Sequence, residues 1–169
     1  LGFIITREMM EDDLYDIVGQ RKAQGLAFSM RQTKETVVAN LYNRAFNSSY
    51  TFGDGKEMVA TDHPNVSGGT WSNELATPAD ISEASLEQAS IAIQAFTNDR
   101  GLLIGVKPKC LIITPSQEAE VRRILGSSLR VDTPNNDLNY LKTAGIIPEV
   151  VVNHYLTDTD AWFIRTNVK

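Results

Sequence analysis

The feature that most constrains the fold is a buried strand that runs directly into a helix over residues 107–126. The stretch opens with a short apolar run of strand-forming residues, and Thr114 then supplies a helix N-cap, with Pro115 at the first helical position and Gln117 at N3. We expect the strand to end at Thr114 and Gly126 to close the helix with a left-handed cap. A nucleotide-binding junction would need glycines where Pro115 and Gln117 stand, so the stretch predicts a scaffold.

Length, charge and cysteine usage narrow the class of protein. The 169 residues, 42% of them hydrophobic, can bury one sizeable core or two small ones. A net charge of -5 argues against tight general binding to nucleic acid, which needs clustered lysine and arginine. No apolar run approaches the roughly 20 residues of a membrane span, and no signal-peptide pattern opens the chain, so we expect no export. The single Cys110 cannot form an internal disulfide and fits a reducing cytoplasm.

The two ends of the sequence suggest a larger parent chain. Leu1 opens it without Met and close to a helix start, and Lys169 closely follows an apolar strand candidate. We expect an interior piece of a longer polypeptide, with a processed or trimmed domain as the alternative.

A long helical pattern covers residues 6–46. Thr6 is the predicted N-cap, acidic residues crowd the first turns, and apolar side chains recur at steps of three or four. Unbroken, this helix would be about 60 Å long, which exceeds a compact domain of this size. Gly19 and Gly25 could divide or bend it, because glycine costs about 1 kcal/mol relative to alanine inside a helix. One spine-like helix and two consecutive helices both stay open.

The middle of the chain is rich in turn-forming residues. Residues 50–52 and 58–60 flank the Gly-Asp-Gly-Lys turn at 53–56, which predicts a β-hairpin. A long loop then continues to residue 73, with too many turn formers for a regular element. Structureless loops of this length are usually functional, mobile or part of an interface.

Further elements alternate between helix and strand. A helix is predicted from Ser82 or Glu83 to Phe96, with Asp80 and Glu83 as a capping box. Residues 130–139 are polar and turn-rich. The remaining apolar runs are a short strand or turn at 102–106 and strands at 150–152 and 161–164. This alternation predicts a mixed α/β core rather than a helix bundle.

The search for catalytic and binding motifs returns little. His63 and His154 are the only histidines, and neither lies in a recognisable catalytic motif, so a locally hydrogen-bonded loop histidine is the preferred interpretation of His63. Asp158 and Asp160 lack the glycine and distal glutamate of an EF-hand. The spacing at 53–56 is wrong for a phosphate loop, and zinc would need more Cys and His. We therefore predict no catalytic, cofactor-binding or metal-binding residues and no cofactor.

A set of short motifs nevertheless resembles one family. In order along the chain these are Asp54-Gly55-Lys56, Thr61-Asp62-His63-Pro64, Gly68-Gly69-Thr70 with Ser72-Asn73, Ile81-Ser82-Glu83-Ala84-Ser85-Leu86, Lys107-Pro108-Lys109 with Leu111-Ile112-Ile113-Thr114-Pro115, and Asn153-His154-Tyr155-Leu156-Thr157-Asp158 with Asp160-Ala161-Trp162-Phe163. Their sequence and spacing across nearly the whole chain resemble the Mu-like phage and prophage major capsid (major head) subunit family.

The resemblance implies the tailed-phage major capsid fold, an α+β architecture. Residues 1–48 would be the spine helix of its peripheral domain, and residues 49–169 an axial domain with a central sheet flanked by helices. By this resemblance, the family's N-terminal arm, its extended loop and its last peripheral-domain strands would be missing from these residues. In a shell, neighbouring subunits would cover a helix too long for a small globule.

The resemblance also implies a function and its partners. The chain would be a non-enzymatic subunit that assembles with copies of itself into hexamers and pentamers of an icosahedral shell. Scaffold and portal proteins would be partners, and the shell would enclose DNA without sequence-specific binding and without a membrane. Its location would be the virion, after assembly in the bacterial host cytoplasm. The alternatives are a non-viral shell-forming or interaction domain of the same fold, and a hydrolase using His63.

Overall fold

A computed structural model describes residues 2–12, 15–130 and 137–168 and shows an α+β chain with small sheets. The chain divides into two units, Leu1–Asn40 and Leu41–Lys169. The elements in chain order are α1 (Arg7–Glu11), α2 (Tyr15–Asn43), β1 (His63–Pro64), β2 (Thr70–Trp71), α3 (Glu83–Gln94), β3 (Pro108–Ile113), a 3₁₀ turn (Pro115–Gln117), α4 (Glu118–Gly126), α5 (Tyr140–Thr143), β4 (Glu149–Val152) and β5 (Phe163–Thr166).

Two helices replace the single long helix considered for residues 6–46. Thr6 is the N-cap of α1, and its hydroxyl accepts a hydrogen bond from the Met9 amide at 3.4 Å. Asp12 caps the other end of α1, where a short acidic side chain favours caps and turns over helix interiors. The expected division at Gly19 and Gly25 is wrong, because both glycines lie inside α2. At 29 residues, α2 is about 44 Å long.

The central sheet of the unit Leu41–Lys169 has the strand order β4-β3-β5. β3 runs parallel to β4, with Leu111 opposite Val150, and antiparallel to β5, with Leu111 opposite Ile164. Successive side chains of a strand point to opposite faces of the sheet, so apolar side chains must pack against each face of β3. Because both faces are covered, β3 is a continuous apolar run, as the sequence predicted.

Two apolar clusters cover the two faces of β3. Leu111 and Ile113 point into the larger cluster, whose other buried members are Leu86, Val121, Ile124, Leu141 and Ile147. Cys110 and Ile112 point into the smaller one, with Ala45 and Phe163. The junction after β3 is confirmed in outline, because Pro115 opens a 3₁₀ turn and the Gln117 side chain accepts from the Thr114 amide at 3.5 Å.

The predicted left-handed cap at Gly126 is wrong. Gly126 is the last residue of α4 and does not have a positive φ, and Ser127 caps the helix in an extended conformation. The left-handed glycine cap belongs instead to α5. Gly145 has a φ of 59°, its amide donates to Lys142 O at 3.2 Å, and the Ile146 amide donates to Leu141 O at 3.2 Å. This pair of bonds is a Schellman motif.

Helix α3 starts with a different capping box from the predicted one. The Ser82 hydroxyl accepts from the Ser85 amide at 3.1 Å, and the Ser85 hydroxyl accepts from the Ser82 amide at 2.8 Å. The predicted pair of Asp80 and Glu83 is therefore wrong. The helix ends at Gln94 rather than Phe96, with Ala95 as its C-cap.

The predicted hairpin at residues 50–60 is also wrong. Its turn forms, since the Phe52 amide donates to Lys56 O at 2.8 Å, but residues 50–52 and 58–60 on either side of it are not strands. The reason is competition for the backbone of the second segment. The Val59 amide donates to Ala45 O at 2.9 Å, and the polar groups of residues 58 and 60 bind Asn73.

Three smaller differences concern strands and loops. The last strand lies at Phe163–Thr166 rather than 161–164, and residues 102–106 form no strand beyond a single bridge between Thr97 and Leu103. The long loop contains the short antiparallel pair of β1 and β2. Of the turn-rich segment predicted at 130–139, residues 131–136 lie outside the described residues.

None of the helices in the described residues combines the length and the apolar character that crossing a membrane would require.

Candidate functional site

The loop after α2 is held by two contacts between residues of the family-like motifs. The His63 Nδ1 donates to Asp54 Oδ2 at 2.6 Å, and the Lys56 ammonium pairs with the Asp62 carboxylate. The hydrogen bond from His63 holds the pKa of the Asp54 carboxyl below its ordinary value of 3.8. The bond to Asp62 likewise raises the pKa of Lys56 above 10.5. Both pairs tie residues 54–56 to residues 62–63.

His63 has the surroundings of a structural side chain. It is only 6% exposed, and its ring stacks on Trp71 with 4.9 Å between centroids. In a hydrolytic triad the second ring nitrogen must reach a nucleophile. Here Nε2 is buried and has no hydrogen-bond partner within the described part of the chain. The pairing with Asp54 therefore positions the ring in the loop and connects it to no nucleophile.

Asn73 acts as a substitute for a strand partner. Its side-chain amide donates to Met58 O at 2.8 Å and its side-chain oxygen accepts from the Ala60 amide at 2.9 Å. Its own amide also donates to Ala60 O at 3.2 Å. One residue thus satisfies three backbone groups of the segment that was expected to pair in a hairpin.

The second motif region, residues 153–160, is fixed in the same way. Asn43 at the end of α2 donates to Tyr155 O at 3.1 Å and accepts from the Thr157 amide at 3.0 Å. Gln117 donates to Asp160 O at 2.9 Å. These polar side chains bind backbone groups and so shape the loop.

The acidic pair Asp158 and Asp160 in this region lies in a turn. Asp158 Oδ1 accepts from the Asp160 amide at 3.1 Å, as in an ordinary turn. Among residues 2–12, 15–130 and 137–168, no group of three or more His, Cys, Asp or Glu side chains could hold an ion. Cys110 lies buried in β3, and this burial raises the pKa of its thiol.

An apolar groove of about 890 Å³ opens on the unit Leu41–Lys169. Six aromatic side chains lie in its wall, namely Tyr42, Phe46, Trp71, Phe96, Trp162 and Phe163. Phe163 packs against Tyr42 and Phe46, with centroid distances of 5.0 and 5.8 Å. Trp162 donates to Ala79 O at 3.1 Å, which holds the indole at the edge of the groove. The groove is wide enough for several side chains.

The rim of this groove is acidic. Four carboxylates line it, those of Glu74, Asp80, Asp158 and Asp160, and Arg165 is the one cation among the described lining residues. Arg165 itself lies 3.9 Å from Glu149. The groove thus presents apolar walls and a negative edge.

A convex apolar loop lies on the same unit. Leu102, Leu103 and Ile104 are 63%, 73% and 49% exposed. The Asn98 side chain accepts from the amides of Arg100 and Leu102, each at 2.9 Å, and so fixes the turn that carries them. Sequence reasoning missed both this loop and the groove, because an apolar run does not reveal whether it is buried or displayed. The turn formers Asn98 and Gly101 were the signal available.

The unit Leu1–Asn40 also displays apolar side chains. Helix α1 has no buried residue. On α2, Ile17, Phe28 and Val37 are 59%, 69% and 62% exposed. Helices in proteins gain most of their stability by packing apolar side chains, so these exposed side chains are suited to contact with another chain.

In the described residues the motif side chains brace loops, and both units display apolar side chains that suit contact with another chain. The family model described as "Phage capsid protein" matches residues 1–168. The chain therefore belongs to the phage capsid protein family. No curated protein and no solved structure matches it.

Proposed function

We propose that the chain is a Mu-like major capsid subunit that assembles with copies of itself into the icosahedral shell enclosing phage DNA. The observation that carries the proposal is the family match over residues 1–168. The displayed apolar faces support it, because contiguous exposed apolar surface marks sites of protein association. Residues 1–48 would be the spine helix of the peripheral domain, and residues 49–169 the axial domain.

The mechanism is physical assembly and requires no chemical step. Each copy contacts its neighbours through heterologous surfaces that close into hexamers and pentamers. Individual contacts can be modest, because many of them repeated around a closed surface give a strong container. The net charge of -5 suits a wall that encloses DNA without binding it tightly. Scaffold and portal proteins would take part, with assembly in the host cytoplasm.

Sedimentation velocity of the protein co-expressed with its scaffold tests the proposal. We expect species far heavier than the 18.7 kDa chain, persisting on dilution. Sedimentation only at the rate of a single chain, at every protein and salt concentration tried, would rule out self-assembly.

A further inference from the structure

Resting on the proposed function, we propose that the apolar loop of one copy, residues 97–106, docks into the apolar groove of an adjacent copy. The loop is convex, with Leu103 at 73% exposure, and the groove is concave, with a volume of about 890 Å³. Both belong to the same unit of the chain. The loop begins directly after Phe96 of the groove wall, so each copy presents a projecting patch beside a pocket. A patch of one copy that enters the pocket of the next makes a head-to-tail contact, which closes into a ring when the rotation allows.

Charge complementarity identifies the occupant as a second copy. The groove is lined by four carboxylates against the single Arg165 among its described residues. The loop itself carries Arg100 and Asp99, and Lys107 and Lys109 follow it directly in the chain. All three cations are exposed, and within the described chain none of them forms an ion pair. Opposite potentials of this kind steer encounter and fix the register of a contact.

The loop is built to hold its apolar side chains outward. The Asn98 amide donates to Leu102 O at 2.8 Å, the Gly101 amide donates to Asn98 O at 2.9 Å, and Gly101 has a φ of 79°. The Ile104 amide donates to Phe96 O at 3.2 Å, and the Ser67 hydroxyl donates to Asp99 O. A loop fixed before binding loses little conformational freedom on docking, so more of the contact energy appears as affinity.

Disulfide formation between two proteins that each carry one introduced cysteine identifies the segment that occupies the groove. A tagged Leu103→Cys protein and an untagged Ala79→Cys protein are co-assembled and oxidised, so that any mixed disulfide joins two copies. The native Cys110 is buried and stays out of the reaction. We expect the mixed dimer from this pair and none when Leu138→Cys, which is equally displayed at 71% exposure, replaces Leu103→Cys.

Substitutions at the loop provide a second measurement that does not depend on cysteine chemistry. Leu103→Asp is expected to raise the protein concentration needed for assembly by about tenfold or more, as removal of a central apolar anchor does. Arg100→Glu is expected to raise it at low salt and to have less effect at high salt. Leu138→Asp is the matched control and should leave assembly unchanged. Circular dichroism and thermal unfolding of each variant confirm that it is folded.

The outcomes separate this inference from the proposed function. Wild-type protein that never assembles overturns both. Wild-type assembly with no mixed disulfide, or with Leu103→Asp and Arg100→Glu assembling as well as wild type, overturns the docking alone. In that case the groove is filled by another segment or ligand. A mixed disulfide together with weakened assembly of the folded variants supports it.

Discussion

Asn73 shows how the polar residues of this chain contribute to function by shaping backbone. It occupies the place of a neighbouring strand, with hydrogen bonds of 2.8 and 2.9 Å to the segment at residues 58–60. Asn43 and Gln117 do the same for residues 155–160. A buried or half-buried backbone group left unpaired costs about 1–3 kcal/mol, so these side chains determine which loop conformations are accessible.

His63 offers a direct test of the structural interpretation at the residue scale. His63→Ala removes a buried ring stacked on Trp71 and the bond to Asp54, and we expect a loss of about 1–3 kcal/mol in the free energy of unfolding. Urea unfolding monitored by fluorescence measures it. The exposed His154→Ala is the control and should change stability by less than about 0.5 kcal/mol. A hydrolase histidine would give the reverse pattern, with stability retained and a measurable activity lost.

Asp54 predicts a dependence of stability on acid pH. Its pKa in the folded chain lies below the ordinary 3.8, so its contribution is fully present above the unfolded value and is lost as pH falls through the folded value. We expect wild type and Asp54→Asn to differ by a constant amount near pH 5 and to converge as the pH falls below 3.8. Urea unfolding at a series of acid pH values tests this. A difference that stays constant down to the lowest pH would show that the His63–Asp54 bond does not stabilise the fold.

At the scale of elements, the glycines at the C-terminal ends of α4 and α5 differ in backbone conformation. Gly126 ends α4 without a positive φ and with no atom within 4 Å of an added Cβ, whereas Gly145 has a φ of 59°. Gly126→Ala should therefore stabilise the protein by about 0.4–1 kcal/mol, chiefly by restricting the unfolded chain. Gly145→Ala should destabilise it by about 1 kcal/mol or more, because alanine is strained in the left-handed region. Thermal unfolding compares the two, and equal effects would contradict the assignment of the caps.

Local signals in the sequence predicted the elements whose partners lie nearby. The junction of β3 with the 3₁₀ turn follows from the adjacent residues Thr114, Pro115 and Gln117, and it is confirmed. Elements that depend on distant partners were predicted less well. The hairpin at 50–60 failed because Ala45 and Asn73 take its hydrogen bonds, and nothing local distinguishes these partners from residues 50–52.

The motif residues and the apolar groove also differ in how far the sequence alone could predict them. The motif residues were found from their order in the sequence, although their roles as braces needed the folded chain. The groove was missed because its walls come from α2, α3, β5 and the loops around residues 58 and 78. Periodicity reports which side chains are apolar and cannot report which of them remain uncovered in a single copy.

At the scale of the whole molecule, this chain of the phage capsid protein family leaves large apolar side chains exposed on both of its units. Phe28 on α2 and Leu103 on the apolar loop are 69% and 73% exposed, and each is a side chain that burial would stabilise. Our account is that other copies provide this burial. Stability and assembly are then linked, so conditions that favour assembly should also protect the subunit from unfolding.

Electron microscopy of the protein co-expressed with its scaffold tests the central claim most directly. We predict closed shells or rings of uniform diameter, with class averages that show sixfold or fivefold arrangements of subunits. Fields that contain only separate single chains, from preparations in which the protein is folded and the scaffold is present, would contradict the account.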